Sequence, residues 1–234
     1  MRPFWMSDKC KLVREPYPNA VLLRDVLTSI SQAELQLILR LLFSEGAPFA
    51  FRLNPVLYEN VREWMGVRLQ VHPKTITLIG SARIGYSTSP APKYGQDFDR
   101  QSDLDFLAVD EGLFSKVVDD YNKWESDVDD GRVVARNARE QEFWNENLRR
   151  VPSNIVRGFV DPYLIPSWNR YSQIVNIMDT LYLVHKRLKV TPQAPPIRKA
   201  SLRVYKDWRA FFHQFSLNIS ILVASFAGSR LTKH

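Results

Sequence analysis

The segment Ser102-Asp103-Leu104-Asp105-Phe106-Leu107-Ala108-Val109 narrows most what this chain can fold into. Its last four residues are apolar without alternation, the pattern of a strand covered on both faces. Asp103 and Asp105 sit two positions apart, so along a strand their side chains project to the same face. Two carboxylates side by side at the start of a buried strand are costly unless a cation lies between them. A divalent cation answers that cost. Mg²⁺, or Mn²⁺ in its place, is commonly held by a few carboxylates together with the phosphates of a substrate.

An earlier apolar run at residues 76–79 ends in Gly80-Ser81. A Gly-Ser turn just past a strand offers backbone N–H groups and a hydroxyl to a phosphate. Turn and acid pair together read as a metal-dependent nucleotide site. Arg83, on the same turn, is a candidate to neutralise phosphate charge, and Ser102, adjoining the acids, is a further nucleotide-binding candidate. A P-loop competes for this segment, because Gly80 and Gly85 have its spacing. Tyr86 stands where its phosphate-binding lysine belongs, which removes most of that case. The remaining alternative is that Asp103 and Asp105 lie on the solvent face of an edge strand.

Gly80-Ser81 followed by Asp103-Leu104-Asp105 resembles the signature of the DNA polymerase β-like nucleotidyltransferase superfamily. The resemblance implies that the Gly-Ser turn holds a triphosphate, with Ser81 touching phosphate, and that Asp103 and Asp105 hold two Mg²⁺ ions. The NTP would be attacked at its α-phosphate, releasing pyrophosphate. A third acidic residue from a later strand is also implied, and Asp161 and Asp207 are the candidates. Asp161 precedes a proline and equally suits a turn; Asp207 equally suits a helix N-cap. The matching stretch covers about 35 of the 234 residues. It departs from the family in a longer gap between Ser81 and Asp103, filled by the turn-rich STSPAPKYGQDFDRQ. A weaker similarity is to nucleotidyltransferase-like proteins of bacterial toxin–antitoxin and phage-defence loci.

Net charge is +7 and unevenly spread. Residues 76–131 carry 5 basic and 12 acidic side chains, and residues 132–234 carry 17 and 6. A metal centre beside a polyanion-binding surface has this asymmetry. Its components include Arg157, Lys186, Arg187, Arg198, Lys199, Arg203, Lys206 and Arg209. One cysteine excludes a disulfide within the chain, fitting a reducing cytoplasm. No run approaches the length of a membrane span, the N-terminal residues have no signal-peptide pattern, and four scattered histidines without paired cysteines give no zinc site.

Residues 1–30, with Pro3, Pro16 and Pro18, read as irregular. Ser31 and Glu34 form a capping-box pattern ahead of a helix stopping near Gly46. Asn54-Pro55 opens a second helix with Leu57, Val61, Trp64 and Met65 inward. Residues 113–124 read as a helix, 126–131 as a solvated acidic turn, and 137–150 as a polar helix. Val151-Pro152 then begins a connection to a helix over 168–189. A stiff linker at 191–196, a short strand at 201–205 and an aromatic helix at 207–227 complete the chain.

The expected fold is α/β (α+β), a small mixed sheet surrounded by helices. Residues 1–131 carry the core motif, and 132–234 form a basic, mainly helical part completing one compact domain. The expected function is transfer of a nucleotide from an NTP to RNA, with a tRNA end favoured, in a toxin–antitoxin or phage-defence setting. The alternatives are modification of a partner protein's hydroxyl and a non-catalytic nucleotide- or RNA-binding assembly module.

Overall fold

A computed structural model describes residues 4–231, with side chains of the last helix as far as Phe226. Pro3 and His234 lie outside the described residues. The fold is mixed α and β, built on a four-stranded sheet. In chain order its elements are α1 (Ala20–Leu27), α2 (Gln32–Ser44), α3 (Pro55–Leu69), β1 (Ile76–Ile79), α4 (Ser81–Ile84), β2 (Leu104–Val109), α5 (Glu111–Asp129), α6 (Ala138–Val156), β3 (Phe159–Val160), α7 (Ser172–Val190), β4 (Ala200–Tyr205) and α8 (Trp208–Leu231).

Local chemistry sets the helix starts. Ser31 Oγ accepts from the Glu34 N–H while the Glu34 carboxylate accepts from the Ser31 N–H, so the capping box of α2 is complete. The Asn54 carboxamide caps α3 ahead of Pro55, whose missing N–H costs nothing at a first helical position. Asp110 caps α5 through the Leu113 N–H at 2.8 Å.

The strand order is β1-β2-β4-β3, with β2 and β4 parallel and both outer pairings antiparallel. One face presents Leu78, Phe106, Ala108, Leu202 and Val204 to α3, α5, α6 and α7. The other presents Leu107, Val109, Phe159 and Tyr205 to α1, α2 and α8. β2 is thus covered on both sides, as its unbroken apolar run requires.

Several sequence expectations are corrected. The N-terminal segment contains a helix, α1, which Asn19 caps through the Leu22 N–H. Along α3 the expected inward set holds, with Met65 fully buried and Leu57, Val61 and Trp64 packed against the core, and Tyr58, Arg62, Gly66 and Leu69 are buried beside them. The acidic stretch read as a turn continues α5 to Asp129, and Asp127 is buried, paired with Arg170 at 2.9 Å and Arg132 at 3.1 Å. α6 runs through Pro152 to Val156. The long loop over 86–101 folds back on itself through Tyr86 and Asp97. Its tyrosines anchor it near α1: Tyr86 donates to the Pro18 carbonyl and Tyr94 to the Ala20 carbonyl, each at 2.7 Å.

Candidate nucleotide site

Strand direction assembles the site. β2 and β4 run parallel and begin at the same end of the sheet; β1, antiparallel to β2, ends there. Ile79, Asp105 and Ser201 are consecutive cross-strand neighbours. Gly80-Ser81, the Asp103–Asp105 pair and the start of β4 therefore meet at one pole, as the motif spacing predicts for the first two.

Gly80 adopts φ 66° and ψ −151°, a conformation essentially confined to glycine. A Cβ at Gly80 would stand 3.5 Å from Asp105 Oδ2, so the turn's backbone lies against that carboxylate. Ser81 begins the one-turn helix α4 and is half-buried. The second Asp105 oxygen, Oδ1, accepts the Ser201 hydroxyl at 2.7 Å.

Asp103 lies just before β2 and is held in a fork by Arg198, with Nε to Oδ1 and Nη2 to Oδ2 both at 2.9 Å. Lys199 Nζ stands 3.8 Å from the same carboxylate. The hydrogen bonds that Arg198 donates to Asp103 raise its pKa above the ordinary value. Only the first two of the basic candidates Arg198, Lys199 and Arg203 pair with Asp103. Arg203 reaches toward Asp161 instead, at 4.0 Å.

A cavity of about 410 Å³ opens beside Asp105, with Asp161, His185, Lys199, Ser201 and Arg203 in its wall. His185 Nε2 and Arg203 Nε are buried without a hydrogen-bond partner. Burial, reinforced by Lys189 and Lys186, holds the His185 pKa below its usual value, so the imidazole is neutral at pH 7. Two orphaned nitrogens in the wall of one cavity are where a ligand's polar atoms would be satisfied.

Four candidates are placed otherwise than expected. Arg83 is buried and faces away from the turn: its guanidinium donates to the carbonyls of Leu42 at 2.7 Å, Gly46 at 2.9 Å and Glu45. It closes the C-terminal end of α2, where carbonyls lack helical partners. Asp207 follows β4 at the opposite pole and caps α8 through the Ala210 N–H at 2.7 Å, so it cannot join the acid pair. The Ser102 hydroxyl is committed to the turn with Asp99. Lys206, also at the far pole, stands 3.4 Å from Glu111. Lys186 and Arg187 lie on α7 against Tyr182 and Trp64.

Asp161 shares the cavity with Asp105, but β4 separates its strand from β2. Its carboxylate accepts from the Tyr163 N–H at 3.1 Å, opening a turn. Among the described residues no three His, Cys, Asp or Glu side chains are grouped to hold a metal ion. On β4, the position directly beside Asp105 is occupied by Ser201. The donors of Asp103, Asp105 and Ser201 are oxygens, which suit a hard cation such as Mg²⁺ that keeps water and takes phosphate oxygens. Asp105 would be the carboxylate open to such an ion, whereas Asp103 is engaged by Arg198.

Ser201, His185 and the clamp of Arg198 on Asp103 escaped the sequence reading. Ser201 and Arg203 alternate with the apolar Leu202 and Val204, a signal of a shared face, but the strand that β4 pairs with is not written in local sequence. No family model, curated protein or solved structure matches this chain.

Proposed function

We propose that this protein is a metal-dependent nucleotidyltransferase that moves a nucleotide from an NTP to an RNA acceptor. The observation that carries the proposal is the Gly80 backbone lying against the Asp105 carboxylate at the end where β1 stops and β2 starts. It supports the reading because a turn able to take phosphate oxygens lies beside a carboxylate able to take a phosphate-bound cation.

The acceptor hydroxyl oxygen forms a bond to the α-phosphorus while the bond from that phosphorus to the bridging oxygen of the β-phosphate breaks. Pyrophosphate leaves, and the hydroxyl proton passes to solvent. Gly80 and Ser81 fix the phosphates, and Asp105, braced by Ser201, sets the position of the reacting centre. Lys199 and Arg203 supply positive charge along the cavity. Mg²⁺, when bound with the nucleotide, would screen the phosphates and polarise the α-phosphate.

The test is transfer from each α-³²P-labelled NTP, with Mg²⁺ or Mn²⁺, onto total RNA and onto the protein itself, beside Asp103→Ala/Asp105→Ala. Label on RNA that vanishes in the double variant is the expected result. No label from any nucleotide, from a folded protein that still binds NTP, would sink the transferase. The second reading, a nucleotide-binding module without turnover, then takes its place. It is favoured by the Arg198 fork that neutralises Asp103 and by Ser201 at the place beside Asp105.

A further inference from the structure

The pole opposite the acid pair carries a second feature that the nucleotide site does not use. A groove of about 860 Å³ lies there between α2, the end of α6 and the start of α8. Four elements each send one exposed cation to it: Arg40 from α2, Arg157 after α6, Lys206 after β4 and Arg209 from α8. Among the described residues only Lys206 has a carboxylate in salt-bridge range, the exposed Glu111. Such an exposed pair is weak and leaves the charge open to exchange. The one acid in the wall, Asp207, is engaged in capping α8. Arg157 is braced by Asn154 at 2.6 Å and lies over the Phe159 ring, so its charge is held in place before any partner arrives.

The groove is also aromatic. Trp208 is half-buried, stacked on Phe212 at 5.7 Å with 24° between the ring planes. Trp208, Phe212 and Arg40 line both this groove and a neighbouring cavity of about 740 Å³, so the two are continuous. In that second cavity Glu59 is taken up by Arg62 and Lys74, while Arg40 and the exposed Glu45 have no ion pair among the described residues, so the cationic character of the trough rests on the first groove. Cations spaced along a trough, with a flat ring between them, match a backbone of phosphates carrying bases. An acidic peptide would use the cations and leave the ring without a role.

We propose that this groove binds a single-stranded segment of RNA, phosphates on Arg40, Arg157, Lys206 and Arg209 and a base on Trp208. This deepens the RNA-acceptor reading and rests on it. The length of β2 separates the groove from Asp105 by on the order of 20 Å. The RNA held here is therefore a part of the acceptor remote from the reacting end, and the groove selects acceptors large enough to span both poles.

The experiment is fluorescence anisotropy of a labelled oligouridylate against the full chain, without NTP or metal, over a salt series. Four phosphate contacts predict a slope of log affinity on log salt of about −2.8, and Arg40→Gln/Arg209→Gln, both exposed positions, reduces it to about −1.4. Lys186→Gln/Arg187→Gln leaves it unchanged, and Trp208→Leu weakens binding at least about fivefold. An unchanged slope in Arg40→Gln/Arg209→Gln would overturn the proposal. Competition by polyglutamate as strong as by unlabelled oligouridylate would overturn it too, in favour of an acidic protein partner. Asp103→Ala/Asp105→Ala should bind the probe as the parent does. If that variant binds but no chain transfers nucleotide, the transferase reading fails and the groove stands. If transfer proceeds while the probe does not bind, the groove fails alone.

Discussion

Replacing Arg83 by methionine decides whether this residue serves the fold or the nucleotide. The guanidinium donates to three carbonyls at the end of α2 and is almost wholly buried. Methionine fills much of the volume and removes every donor. Hydrogen bonds to a charged group contribute about 1.5–3 kcal/mol each, and carbonyls left without partners add a desolvation cost where water cannot reach them. Gly46 and Glu45 lie in the loop after α2 and will recover part of their loss from water, so the net is about 3–5 kcal/mol. In a chain of this size each kcal/mol lowers the melting temperature by about 2–4 °C. The expected fall is therefore about 6–20 °C, followed by circular dichroism. NTP affinity, measured well below the transition, should match the parent within about twofold. Arg83→Lys restores a single donating nitrogen in place of three and should recover part of the melting temperature. A variant that melts within about 2 °C of the parent yet binds NTP tenfold more weakly would refute the capping role and return Arg83 to the phosphates.

Glu34 accepts hydrogen bonds from Ser7 and Ser31, and these, Ser7 foremost, lower its carboxyl pKa from 4.5 to about 2. A depressed folded pKa stabilises above the unfolded value, and that contribution is lost as pH falls from about 4.5 toward 2. Melting temperature against pH should therefore drop less steeply over that window in Glu34→Gln than in the parent; identical profiles would contradict the assignment. Ser201→Asp puts a carboxylate directly beside Asp105 and should tighten Mn²⁺ binding about tenfold by titration calorimetry. Unchanged Mn²⁺ affinity would show that the ion, if bound, lies away from β4.

What the sequence disclosed was whatever rests on near neighbours. Ser31 with Glu34 and Asn54 with Pro55 are caps whose donors and acceptors lie within a few residues. The unbroken run at 106–109 announced burial on both faces. The turn at Gly80-Ser81 and the acids at 103 and 105 were visible as types in a spacing. The hidden features depend on pairings across long separations. Arg83 reads as a phosphate-neutralising cation on its own turn and finds its acceptors some forty residues earlier. Arg198 reads as a free cation until β4 delivers it to Asp103, 95 positions away. Asp207 fitted both a metal site and a cap, and only strand direction, which sends the end of β4 to the far pole, chooses the cap. Pro152 misled because its position inside α6 is rarer than a break.

The parallel pairing of β2 with β4 has a temporal consequence. Turn and acids are both made by residue 105, yet every group that braces those acids comes from residues 198–201. A chain emerging from the ribosome must complete α5, α6, β3 and α7 before β2 acquires its second neighbour, β4. Until then Asp103 and Asp105 face solvent with neither fork nor hydroxyl, and one edge of β2 is open. Closing so distant a contact is slow because the loop entropy is lost before the contact repays it. The nascent chain thus holds the motif for roughly the time taken to add a further hundred residues without holding the site. Chaperone demand should peak in that interval, and cleavage anywhere between residues 110 and 197 would separate the two halves of one constellation.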